Sequence, residues 1–276
     1  LRVLALNVDY GFKTTIGNHN LDLIPKMGAS LFTFRPNMKL HRKVLKISFE
    51  QYGDPDLMSH CLLHALPIKT AIKFNIPLVF LGENSAYEYS GDKTYDEKKM
   101  SLKWFQNYAA NNGMTPKKFS IKHNISFNKM DIYNLPDQDS LNRTNAVFCS
   151  YFFKWDSETN LNIAKKYGFK SLKSNSEGTY RNYVGIDEKI NRIHQYLKLL
   201  KFGYGRATDH ACEDIRNNRI TRDKAIKLVK KFDRVKLSKY YYKDFIDLIG
   251  LSEKSFFRVM DKFTNRKTLL EIKNIK

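Results

Sequence analysis

The sequence predicts an α/β fold: a parallel sheet covered by helices, followed by a C-terminal helical region. Three observations carry this. Apolar runs without polar alternation recur at residues 3–8, 29–34, 76–81 and 146–153, as in strands buried on both faces. Helical segments separate these runs. The last third of the chain keeps a 3.6-residue apolar period with no further strand signal.

Taken in order, residues 3–8 read as a strand leading into Asp9-Tyr10-Gly11. Residues 16–26 read as one helix ended by Gly28, and residues 29–34 as a second strand closed by Pro36. A helix over 37–52 ends at Gly53. Another follows over 55–74, where Pro67 predicts a kink or break. The third strand, 76–81, runs into Gly82-Glu83-Asn84. Residues 92–144 read as a polar, irregular insertion with one helix around 96–110. The fourth strand, 146–153, leads to Lys154-Trp155-Asp156 and a helix stopped by Gly168. Beyond it Asp187, Thr221 and Ser252 are the expected helix caps, with Gly203 a stop. The expected division is a core over 1–185, with the insertion near 92–144, and a helical region over 186–276.

Lys and Arg number 48 against 28 Asp and Glu, a formal charge of +20, and hydrophobic residues make up 42%. That apolar content excludes a wholly disordered chain. No apolar run is long enough for a membrane-spanning helix. Lys far outnumbers Arg and is scattered along helices, which reads as a solvated surface; no nucleic-acid partner is expected, and anionic small substrates also suit the charge. Cys61, Cys149 and Cys212 are too few and too scattered for a disulfide framework or a zinc site, so a cytoplasmic setting is expected. The chain opens on Leu1 within a strand-like run, which predicts a segment upstream of it.

In open parallel sheets, ligands bind beyond the carboxyl ends of the strands. Three segments fall there: 9–11, 82–84 and 154–156. Glu83 can accept a hydroxyl or meet a cation, and Asn84 both donates and accepts; an ordinary strand-to-helix turn explains them equally. Lys154 could meet an anion and Trp155 stack on a ring, whereas Asp156 reads more simply as a helix cap. The segment Gly203-Tyr204-Gly205-Arg206-Ala207-Thr208-Asp209 stands out. Its glycines admit close approach of backbone, Arg206 offers a fork to an anion, and Thr208 or Asp209 opens a helix whose N–H groups favour negative charge. A surface joint between two helices is the plainer alternative. His60 and His64 share a helix face at metal-ligand spacing, but no third ligand is near, so no metal site is expected and His64 reads as part of a polar face. Glu177-Gly178-Thr179-Tyr180 is either a substrate loop or a plain turn.

At these residues a resemblance enters. Asn7-Val8-Asp9-Tyr10-Gly11, the run Ile76 to Ser85 with Glu88-Tyr89, Tyr151 to Asp156, and Lys166-Tyr167-Gly168-Phe169 resemble the N-acetyl sugar amidotransferase family. So do His194-Gln195-Tyr196-Leu197-Lys198, Phe202 to Asp209, and Asp214-Ile215-Arg216. The family includes pseudaminic acid amidotransferases and O-antigen enzymes of the WbpG type. The resemblance implies a sheet of the adenine nucleotide alpha-hydrolase type, as in N-type ATP pyrophosphatases, with its first strand missing. It implies ATP and Mg²⁺ as cofactors, an N-acetylated sugar as substrate, and a glutaminase subunit as the source of ammonia. In that chemistry the acetamido oxygen attacks the α-phosphorus of ATP, pyrophosphate leaves, and ammonia then displaces AMP to give an acetamidino group.

The resemblance places Val8, Asp9, Gly11 and Gly82 at the nucleotide, and Glu83, Asn84, Lys154 and Arg206 at the reaction. It places His60, Trp155, Glu177, Tyr180, Thr208 and Asp209 at the substrate. The family's Ser-Gly-Gly-x-Asp-Ser phosphate loop is absent, which predicts weak or no ATP turnover by this chain alone and a gap or abnormal pairing in the sheet. Ser90 stands where relatives often carry Gly. Two other readings remain open: a tRNA-modifying ATP pyrophosphatase, and a non-catalytic truncated remnant that docks a glutaminase.

Overall fold

A computed structural model describes residues 1–82, 98–107 and 113–274. The chain divides into two compact units, residues 1–56 with 156–276, and residues 57–155. The boundary drawn from sequence after residue 185 falls inside the first of these.

In the first unit β1 (Leu4–Val8) pairs in parallel with β2 (Ser30–Phe34), Leu4 opposite Ser30 and Val8 opposite Phe34. The single helix expected over 16–26 is two, α1 (Thr15–Leu21) and α2 (Leu23–Lys26). Pro25 explains the break, because its ring crowds the carbonyl four residues back, at Leu21. Helix α3 (Met38–Tyr52) starts at Asn37, whose side chain accepts from the Leu40 N–H, and ends at Gly53 with φ of 59°. A Cβ at Gly53 would stand 2.5 Å from the Phe263 ring, so glycine serves both the turn and the packing there.

The second unit begins with α4 (Leu57–Lys73), which passes through Pro67 without ending. Most of this helix is buried, and apolar burial offsets the hydrogen bond that Pro67 removes. Strand β3 (Leu78–Leu81) pairs in parallel with β4 (Asn145–Phe148). Between them lie α5 (Leu102–Asn107), α6 (Pro116–Lys122), α7 (Phe127–Met130), a 3-10 turn at Asp131–Tyr133 and α8 (Gln138–Leu141). The stretch expected to be irregular is thus largely helical, and it contributes Trp104, Phe105, Phe119, Met130, Tyr133 and Leu141 to the core. Residues 98–100 add an antiparallel bridge along β4: Met100 N–H donates to the Ala146 carbonyl, and Phe148 N–H to that of Lys98. The fourth strand is shorter than expected, since Cys149–Phe152 forms a helical turn, α9.

The chain then returns to the first unit with α10 (Ser157–Lys166), α11 (Ile190–Phe202), α12 (Arg206–Arg216), α13 (Arg222–Phe232), α14 (Lys239–Ile249), α15 (Glu253–Lys262) and α16 (Arg266–Asn274). Asp156, Thr221 and Ser252 cap α10, α13 and α15 through their side chains. Asp187 does not cap α11. Its carbonyl instead accepts from the Thr14 N–H, and the residue before α11 is Lys189, with no side-chain cap. Phe49 of α3, Tyr242 and Phe245 of α14 and Phe256 of α15 form a buried aromatic cluster with ring centroids 5.1 to 6.3 Å apart.

Among the described residues each unit holds one parallel pair of strands, β1–β2 in the first and β3–β4 in the second. The mixed α/β class is as expected, but the strands are not buried on both faces: Leu4, Phe32, Leu78 and Phe80 are exposed. Among the described residues β1 and β3 each have a strand on one edge only, which leaves backbone N–H and C=O groups on the other edge.

Candidate functional site

In the first unit, the joint between α11 and α12 is built around one carboxylate. Gly203, at φ of 82°, ends α11. The Gly205 N–H donates to Asp233 Oδ2 at 2.7 Å, and Thr208 donates to the same carboxylate through its N–H at 3.2 Å and its hydroxyl at 2.6 Å. Asp233 is buried. A Cβ at Gly205 would lie 2.6 Å from Asp233 Oδ1, so the second glycine admits a side chain of the chain itself. The negative charge expected at the start of α12 is thus supplied internally, from just beyond α13.

The other predicted residues of the joint are also engaged. Lys198 of α11 pairs with Asp209 and lies over the Tyr204 ring, 4.6 Å from its centroid. Burial lowers the Lys198 pKa, and Asp209 works against that shift. Arg206 approaches Asp209 at 4.0 Å. Phe202 and Tyr204, with ring centroids 6.4 Å apart, are exposed beside these charges.

Beneath α12 lies a buried ion-pair network. Arg181 donates to Glu213 Oε2, Asp214 Oδ1 and the Ser157 hydroxyl, at 2.6 to 2.7 Å. Arg219 bonds Asp214 and also Asp156, the cap of α10. The predicted substrate residue Tyr180 donates its hydroxyl to Asp214 Oδ2. Burial and then this bond hold the phenol well above its ordinary range. Burial opposes ionisation of Asp214, yet bonds from Tyr180, Arg219 and Arg181 leave its carboxyl below the usual value. Glu177 accepts from Arg192 Nε at 2.9 Å and from the Ser238 N–H at 3.1 Å, so it braces the turn before α14.

At the end of β1, Val8 is buried and Gly11 is exposed. Asp9 accepts from the Gly11 N–H and from Arg35. Burial raises the Asp9 pKa, but those partners outweigh it and the net shift is downward. Residues Lys13 and Glu188 form an isolated bridge close by. Burial and the charges of Asp187 and Asp56 push Glu188 up to about 8. Burial likewise raises Asp56 to about 7, next to the His194–Asp54 pair at 2.9 Å.

In the second unit, Gly82 is exposed after β3, Lys154 is exposed and Trp155 is half-buried. Glu83 and Asn84 lie outside the described residues, as do Ser85 and Glu88 to Ser90. The His60 carbonyl accepts from His64 Nδ1 at 2.8 Å. His64 is not part of a polar face: it is buried against Trp104, and burial lowers its pKa to about 4. A cavity of about 480 Å³ in this unit is lined by Lys69, Phe127 and Asp131 among others, and by none of the predicted site residues. Among the described residues no three His, Cys, Asp or Glu side chains converge on a metal position.

The structure thus gathers Arg206, Thr208 and Asp209 at the joint, with Glu177 and Tyr180 in the segment before α11, bonded to Arg192 of α11 and Asp214 of α12. Val8, Asp9 and Gly11 stand at the end of β1, and Gly82, His60, Lys154 and Trp155 belong to the other unit. Sequence reasoning missed Asp233, Arg181 and Glu213. Their signal was a buried acid or arginine in a lysine-rich chain, which spacing alone does not reveal.

Residues 177–274 match the family model described as LPS biosynthesis protein WbpG-like, C-terminal domain. No curated protein matches the chain.

Proposed function

We propose that the chain belongs to an ATP-dependent amidotransferase that converts a sugar N-acetyl group to an acetamidino group in bacterial surface-polysaccharide or nonulosonic acid biosynthesis. The observation that carries this reading is the match of residues 177–274, the stretch that holds Glu177, Tyr180, Arg206, Thr208 and Asp209. The ordered motifs from Asn7 onward support it, and so do the exposed rings of Phe202 and Tyr204, which offer apolar faces suited to a saccharide.

An amide oxygen is a poor leaving group at neutral pH, and ATP supplies the activation that lets ammonia replace it. Arg206 is the residue we assign to an anionic group of the bound substrate, at a joint whose Gly205 and Thr208 bond Asp233. Thr208 and Asp209 fix that joint, and Tyr180 and Glu177 brace the segment packed against it; all four stay proposed substrate residues, as do His60 and Trp155. Mg²⁺ bound with ATP would offset the charge of its phosphates. Ammonia is assigned to a separate glutaminase.

The test supplies the gene product with ATP, ammonia and a panel of N-acetylated sugars. The reading expects AMP release that depends on one of the sugars. Release stimulated by tRNA and indifferent to sugars would favour the tRNA-modifying alternative. Arg206→Ala should cut amidine formation at least tenfold, far more than it lowers the stability measured by urea unfolding; equal activity in the variant would remove the assignment.

A further inference from the structure

Residues 222–239 make the most one-signed stretch of surface in the helical part of the chain. They hold eight Lys or Arg and two Asp. One of those two, Asp233, is buried and spends its charge on Gly205 and Thr208. Lys224, Lys227, Lys230, Lys231, Arg234 and Lys236 are all exposed. The ion pairs among the described residues include none of them. In the same unit Arg181, Arg192 and Arg219 are matched, while other exposed lysines such as Lys165, Lys166 and Lys173 also enter no ion pair among the described residues; what sets residues 222–239 apart is how densely such cations follow one another. Crowding unneutralised cations costs stability through self-repulsion, and a polyanion facing them removes that cost.

The helix geometry concentrates these charges. Lys224, Lys227 and Lys231 follow one another at three- and four-residue steps along the outer side of α13, with Lys230 beside them. Buried Ala225 marks the opposite side. Ile226 and Val235 stand among the cations and are 42% and 37% exposed. Tyr240 follows, 57% exposed, with Lys189 Nζ 4.4 Å above its ring.

Two features choose among polyanions. Six of the eight cations are lysines, flexible point charges without the planar fork that arginine brings to nucleic-acid phosphates and base edges. Exposed aliphatic side chains between the cations gain little against a nucleic-acid backbone, but gain by burial at the boundary of headgroups and acyl chains. Tyrosine suits the same depth. We propose that residues 222–239 form a peripheral docking surface for an anionic lipid bilayer, with the lysines among the headgroups and Ile226 and Val235 at the acyl boundary. This is independent of the reaction proposed above.

Co-sedimentation of the full chain with vesicles tests it. The chain should sediment with vesicles containing phosphatidylglycerol and not with vesicles of phosphatidylcholine alone, and added salt should weaken the binding. Replacing Lys224, Lys227, Lys230 and Lys231 by Gln should lower partitioning about fivefold per charge removed, roughly several hundredfold in all. The same number of changes at Lys103, Lys165, Lys166 and Lys173 should lower it far less, with circular dichroism showing that both variants fold. Ile226→Ser with Val235→Ser should weaken vesicle binding and leave any RNA binding unchanged. Equal loss from the two lysine quartets would overturn the proposal, as would equal sedimentation with neutral vesicles. So would binding to a structured RNA under conditions where phosphatidylglycerol vesicles are ignored.

Discussion

Removal of the Asp233 carboxylate is the sharpest test of how the α11–α12 joint is held. Asp233→Ala leaves three donors without their acceptor: the Gly205 N–H, the Thr208 N–H and the Thr208 hydroxyl. A buried donor left unsatisfied costs about 1 to 3 kcal/mol. Thr208 is only partly buried, and water recovers some of its share, so the expected loss is about 3 kcal/mol in total. Asp233→Asn keeps one carbonyl oxygen as an acceptor and loses the charge facing the α12 N-terminus, so its expected cost is smaller, about 1 kcal/mol. Urea unfolding followed by far-ultraviolet circular dichroism measures both. A second readout separates the cap from simple packing. Sulfate should stabilise Asp233→Ala more than the unaltered protein at matched ionic strength, because the vacated position accepts an anion. Two results together would refute the reasoning: an Ala variant within about 0.5 kcal/mol of the parent, and no differential effect of sulfate.

Further outcomes follow from the same network and from the cores. Arg181→Met should cost about 3 kcal/mol in urea unfolding, because Glu213 and Asp214 lose their buried cation and keep only the more exposed Arg219. Trp104→Ala should cost about 3 to 5 kcal/mol, since the indole is buried between His64 and Phe148. The pH dependence has a sign set by Asp56 and Glu188, whose pKa values rise on folding to about 7 and about 8. The folded state then holds more protons than the unfolded chain, so their contribution to stability is present in acid and is lost as pH rises through 7 to 8. His41 and His64, lowered to about 4, act oppositely and remove stability as pH falls below 6.5. Urea midpoints should therefore decline between pH 6.5 and 8 in the parent, and Asp56→Asn should flatten that decline. An unchanged slope in the variant would show that Asp56 is ionised throughout.

Much of the local structure was legible because it rests on local physics. The caps at Asp156, Thr221 and Ser252 and the left-handed stops at Gly53 and Gly203 depend on one residue and its immediate neighbours. The split of α1 from α2 was equally local and lay in Pro25. Pro67 does not break the helix, because the burial of α4 outweighs what a proline removes, and burial is a tertiary quantity. Residues 113–144 looked irregular because the elements there are too short to show a period, although Phe119 and Tyr133 already marked a core. The joint at Gly205 was readable as a place of close approach to a negative charge. That the charge belongs to Asp233 was not, because Asp233 lies 28 positions further along the chain, beyond two helices. Asp187 failed as a cap for a related reason: its segment is drawn into bonds with residues 12–14, far away in sequence.

The most direct measurement of the central claim is a product balance in the presence of isotopically labelled ammonia. The account predicts one AMP and one pyrophosphate for every labelled nitrogen that enters an N-acetylated sugar, with no AMP when the sugar is omitted. AMP formed in step with a modified RNA, or labelled nitrogen absent from every sugar offered to an ATP-consuming preparation, would contradict it.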